Sequence, residues 1–112
     1  MGKPSRDKGK LGELEMVHVL RAAGWPDAER TSNGREQGLG DIANGPKDVY
    51  MEVRRREKLN VWASFEEASR KAPMGYLPLV AFRRSRSPWL TVVELDEMLP
   101  LLALREKALD GR

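Results

Sequence analysis

The chain has 112 residues, 33% of them charged, which is long enough for one domain with a real core but leaves no room for separate catalytic and binding domains. A hydrophobic share of 40% with three Trp implies a folded globule, and no apolar run approaches the ~20 residues of a membrane span, so a soluble protein is expected. Net charge +3 and pI ≈ 9.4, with Arg and Lys in clusters, favour a polyanionic partner, while the absence of Cys excludes disulfides, a thiolate nucleophile and Cys-based zinc sites.

Residues 1–7 read as a flexible basic arm. They lead into a charged amphipathic segment instead of the apolar stretch of a secretory signal, which fits a cytoplasmic setting. From Lys10 to Ala23 the pattern is helical, with Met16, Val17 and Leu20 on one stripe and Gly24 as the stop. Glu13 falls on that apolar stripe. A carboxylate there needs a partner or a metal, unless it stays wet in the first turns, where the helix dipole favours acids. After Trp25-Pro26 a short strand is predicted over Ala28–Thr31, and Ser32-Asn33-Gly34-Arg35-Glu36-Gln37-Gly38 reads as a loop, either a DNA-contacting one or an ordinary surface connection.

Leu39–Ala43 then reads as a strand, Asn44-Gly45-Pro46 as a turn and Asp48–Arg55 as a long partner strand, together a hairpin. Ser64 with Glu67 has the form of a capping box, opening a helix through Phe65, Ala68 and Ala72 that ends before Pro73. Strands are predicted over Leu77–Phe82 and Trp89–Leu95, separated by the basic turn Arg83-Arg84-Ser85-Arg86-Ser87-Pro88, and a last helix runs from Asp96 to Asp110-Gly111, tolerating Pro100 in its first turns. The order α-β-β-β-α-β-β-α predicts a single α/β domain over residues 1–112, built around a mixed sheet flanked by helices.

The hairpin carries the chemistry. Strand alternation puts Tyr50, Glu52 and Arg54 on one face and Val49, Met51 and Val53 on the other, towards a core. If the preceding strand pairs with this one, Asp41 comes beside Glu52 and two carboxylates converge. Hard oxygen ligands that leave room for water and a substrate phosphate suit Mg²⁺, with Mn²⁺ as a substitute. A charged exposed strand face is the plainer alternative. The basic residues fall into clusters: Lys8 and Lys10 after Lys3 and Arg6, then Arg54-Arg55-Arg56 with Lys58, then Arg83, Arg84 and Arg86. Brought together, these form a phosphate-binding surface; left apart, they are scattered solvation.

Lys8-Gly9, Glu13-Leu14-Glu15, Gly24-Trp25, Arg30-Thr31-Ser32, Gly40-Asp41-Ile42 and Glu52-Val53-Arg54 follow an order and spacing that resembles archaeal-type Holliday junction resolvases. Those belong to the PD-(D/E)XK nuclease superfamily, which has a restriction-endonuclease-like core. The resemblance implies that Asp41, Glu52 and the carbonyl of Val53 are metal ligands and that Glu13 completes the site through metal or water. It also implies that Arg54 stands where the family has a Lys, and that Ser32 approaches the substrate. Arg does not give up its proton near neutral pH, so at this position electrostatic stabilisation remains and a general-base role is lost. Leu14 stands where the family often has Arg. The implied activity is Mg²⁺-dependent, structure-selective cleavage of four-way DNA junctions by a homodimer. Lys8, Lys10, Arg30, Ser32, Arg35, Arg55, Arg56, Lys58, Arg83, Arg84 and Arg86 are the candidate DNA contacts. The rival expectations are a related nuclease acting on duplex or flap DNA and a non-catalytic DNA-binding protein that keeps the fold.

Overall fold

The computed structural model describes residues 3–31 and 40–111 and, of residues 3–8, the backbone alone. Its elements follow the predicted order: α1 (Lys3–Ala23), β1 (Glu29–Arg30), β2 (Ile42–Ala43), β3 (Val49–Arg55), α2 (Val61–Lys71), β4 (Leu77–Arg83), β5 (Leu90–Val92) and α3 (Leu95–Asp110). α1 begins ahead of the predicted Lys10, and Gly24 ends it at φ +119°, a conformation that favours glycine.

β3, β4 and β5 form a mixed sheet in that order, parallel between β3 and β4 and antiparallel between β4 and β5. The parallel pair requires a crossover, and α2 supplies it. A strand in such a unit is covered on both faces, and β3 is. On one face Met51 and Val53 pack with Ala81 against Met16, Val17 and Leu20 of α1. On the other, Tyr50 packs with Val80 against Ala68 of α2. The face that carries Glu52 and Arg54 is therefore also a second, smaller core and not an exposed charged strand face, and Glu52 within it is only 4% exposed.

The predicted hairpin forms differently. β2 pairs antiparallel with β1, in the register Glu29↔Ala43 and Arg30↔Ile42, and the segment just before it meets β3 through an isolated Gly40↔Met51 bridge of parallel sense. Asn44 and Asp48 both take φ 58°, on either side of Pro46, which has no amide proton to give. The connection is consequently a wide loop instead of a tight hairpin turn. What joins the two segments is a close approach: the Asp41 amide donates to Met51 O at 2.8 Å. Gly40, at φ +73°, makes this possible, because a Cβ there would lie 2.5 Å from Met51 O.

The expected Ser64–Glu67 capping box does not start α2. Asn60 does, its side chain accepting from the Ala63 amide at 3.0 Å, so the helix gains just over a turn at its N-terminus. α3 extends away from the sheet with no buried residue, leaving Leu95, Leu99, Leu101, Leu102 and Leu104 exposed.

Candidate metal site at the edge of β3

In β3 the backbone groups of alternate residues point to opposite edges. The ladder to β4 uses even-numbered positions, as Asp48 O and Arg56 N show by bonding to Leu77 and Arg83. Odd-numbered groups therefore face the opposite edge, where Met51 O and the amide and carbonyl of Val53 lie open. Asp41 fills that edge. Its amide takes Met51 O, and its Oδ2 accepts from the Val53 amide at 2.8 Å.

This anchoring, and not the expected hairpin pairing, brings Asp41 to the Arg54 guanidinium that Glu52 also reaches. Arg54, leaving β3 on the same face as Glu52, lies between them. Its Nη1 donates to Asp41 Oδ2 at 3.1 Å and to Val53 O at 2.9 Å, and its Nη2 donates to Glu52 Oε2 at 2.8 Å. The other Glu52 oxygen accepts from Tyr50 Oη at 3.1 Å. Tyr50 is a site residue to which the sequence pattern alone assigns no role. Its i−2 spacing from Glu52 on a strand is the one signal, but only burial under α2 gives the hydroxyl a reason to seek that carboxylate.

The electrostatics are those of crowded, partly dehydrated acids. Burial, reinforced by the negative charges of Glu52 and Glu13, pushes the Asp41 carboxyl up to about 6, against the pull of the Val53 amide and of Arg54. Burial and the Glu52 carboxylate also push the Tyr50 hydroxyl well up, so it stays a hydrogen-bond donor. Burial disfavours the Arg54 charge, but Glu52 and Asp41 outweigh it and the pKa rises.

Glu13 is felt at Asp41 but does not join it; it pairs with Arg30 Nε at 2.8 Å. Among the described residues no three acidic or histidine side chains gather closely enough to hold a metal by themselves, so the expected three-acid set is not assembled. The oxygens that do converge, Asp41 Oδ2, Glu52 Oε2 and Val53 O, surround one guanidinium. This is a hard, oxygen-only set of two carboxylates and a carbonyl already gathered around a positive charge. It fits Mg²⁺, which takes few protein ligands and keeps several waters.

The expected DNA contacts divide. Arg30 is held by Glu13, and Arg55 and Arg83 both approach Glu15, at 3.4 and 3.5 Å. Arg83 also lies over the Trp89 ring, 5.7 Å from its centroid. Lys10, Arg56, Lys58, Arg84 and Arg86 remain exposed. Arg56, Arg83 and Arg84 line one groove together with Pro88 and Leu90. Ser32 and Arg35 lie outside the described residues, as does the side chain of Lys8. His18 is on the helix surface, apart from this chemistry.

No family model and no curated protein matches the chain. Among solved structures the fold is similar to that of Hjc, a Holliday junction resolvase from the archaeal hyperthermophile Archaeoglobus fulgidus. The match covers 77% of this chain and 72% of that one, at 24% sequence identity and a TM-score of 0.51. The resemblance read from the motif order thus holds at the level of the fold: the chain has a restriction-endonuclease-like α/β architecture, with Asp41, Glu52 and Val53 gathered at the outer edge of β3.

Proposed function

We propose that this protein is a divalent-metal-dependent endodeoxyribonuclease that resolves four-way DNA junctions as a homodimer. The observation that carries the reading is the gathering of Asp41 Oδ2, Glu52 Oε2 and Val53 O around the Arg54 guanidinium, in a fold similar to that of a junction resolvase. Asp41 and Glu52 with Val53 O would hold Mg²⁺, which would supply positive charge at the scissile phosphate and acidify water there. The chain's own contribution is positional. The Val53 amide and Met51 O fix Asp41, Tyr50 orients Glu52, and Arg54 offers a planar donor fork that matches phosphate oxygens and stabilises charge developing on them. A junction needs two symmetric nicks and one such domain carries one site, which favours a dimer.

The test is incubation of the purified protein with a labelled four-way junction and with a linear duplex of the same sequence, each with Mg²⁺ and with EDTA. Paired, Mg²⁺-dependent nicks in the junction support the proposal. Equal cutting of linear duplex leaves a general nuclease. The second reading, a DNA-binding protein without catalysis, is favoured by the guanidinium that already satisfies all three oxygens; junction binding without cleavage at any metal concentration would establish it.

A further inference from the structure

The three cradle oxygens already serve a cation. Arg54 Nη1 lies between Asp41 Oδ2 and Val53 O, at 3.1 and 2.9 Å, while Nη2 reaches Glu52 Oε2 at 2.8 Å. This clamp is built into the strand. Arg54 and Glu52 leave β3 on the same face, and Asp41 is pinned from the backbone side by the Val53 amide. The guanidinium side chain keeps only 19% of its exposure, and that of Glu52 keeps 6%.

We propose that Arg54 is a built-in counter-cation of the site: it holds the cradle together when no divalent metal is present, and it must leave Asp41 and Val53 before a metal can enter. The inference rests on the metal-binding reading above. A bound Mg²⁺ sits about 2.0–2.1 Å from its oxygen ligands and uses the lone pairs that now accept from Nη1. A dication and a guanidinium cannot share those oxygens without strong repulsion in a partly dehydrated pocket. A lysine could relieve the conflict by losing its proton. Arginine cannot, so its charge has to move. Metal binding and the Arg54 clamp are then linked, and each weakens the other by the same factor.

The experiment titrates Mn²⁺ into the metal-free protein without DNA, reading free Mn²⁺ by electron paramagnetic resonance, for wild type, Arg54→Gln and Arg54→Lys. Arg54→Gln is expected to bind Mn²⁺ more tightly than wild type, within the roughly 5–150-fold span of ordinary site couplings. Arg54→Lys, which keeps the charge on a single donor centre, should fall between. In wild type, the Arg54 Nε–H resonance should shift as Mg²⁺ fills the site. Equal affinities, or a resonance unmoved at saturating Mg²⁺, would overturn the inference and leave the metal site standing. The resonance alone decides the matter if Arg54→Gln does not fold. Binding of Mn²⁺ by none of the three forms would remove the metal reading itself, and this inference with it.

Discussion

Asp41 carries an electrostatic conflict. Its backbone anchor places it where Glu52 and Glu13 repel it and water is scarce, so the folded protein holds its proton up to about 6, against an ordinary value of 3.8. Between those values the native state binds the proton and the unfolded chain does not, so this group's contribution to stability falls as pH rises through that window and is constant above it. Asp41→Asn, a neutral isostere, should therefore stabilise the metal-free protein above pH 6 by roughly 1–2 kcal/mol and flatten the pH dependence between 4 and 6, as read by thermal denaturation across pH. The same substitution should abolish cleavage while junction binding persists, which gel shift and nick assays measure in parallel. Tyr50→Phe should cost about 1–3 kcal/mol in denaturant melts, because it leaves the buried Glu52 short of a donor; an unchanged midpoint would show that water replaces the hydroxyl.

The elements matter for what they hold in register. β2 is paired to β1 over two residues, and the segment just before it meets β3 at the Gly40↔Met51 bridge, so the close backbone approach at Gly40 sets the position of Asp41 together with the Val53 amide. Gly40→Ala introduces a Cβ 2.5 Å from Met51 O at a φ that disfavours any side chain, and it should destabilise the protein by a few kcal/mol. Because the strain falls on Met51 and Asp41, metal affinity should drop more than in a core variant of matched stability, such as Val80→Ala; Mn²⁺ titration of both separates a displaced ligand from a softened fold. At the C-terminal end of β3, Gly12 of α1 allows another close approach: a Cβ there would stand 2.8 Å from the Arg55 Cβ, so the helix lies close against the end of the strand.

Over the whole molecule, charge and apolar surface assign separate tasks. Arg84 and Arg86 are exposed beside the groove at the end of the sheet, whereas Arg83 is tied to Glu15 and Trp89. Replacing Arg84 or Arg86 by Ala should weaken junction binding and reduce the slope of log K against log salt by about 1 for each phosphate that is no longer neutralised. Arg83→Ala should instead act mainly on stability. α3, with all but Met98 exposed, is a helix whose leucines have no cover among the described residues, and an isolated helix of this size is marginal in water. In the proposed homodimer this helix is an exposed apolar surface available for burial. Leu99→Glu with Leu102→Glu should then convert the dimer to a monomer in light scattering and replace paired nicks by single, unsynchronised ones. A wild-type monomer at working concentration would end the dimer proposal.

The element order and the shared face of Glu52 and Arg54 could be read from the chain because both rest on local rules, helical periodicity and strand alternation, whereas Asp41 reaches them through the close backbone approach at Gly40 and not through the expected hairpin. Glu13 on an apolar stripe likewise announced a need for a partner. Tertiary structure alone decided who that partner is. Sequence clusters such as Arg54-Arg55-Arg56 and Arg83-Arg84 look uniform, yet Arg54 enters the acid cradle, Arg55 and Arg83 go to Glu15, and Arg56 and Arg84 face solvent. Periodicity fixes which face a residue occupies, but an ion pair depends on where a distant helix crosses the sheet, and that is set by packing between segments far apart in the chain. The same cause hid the burial of Tyr50 and Glu52: an alternating strand shows a polar face, and only the docking of α2 makes that face an interior.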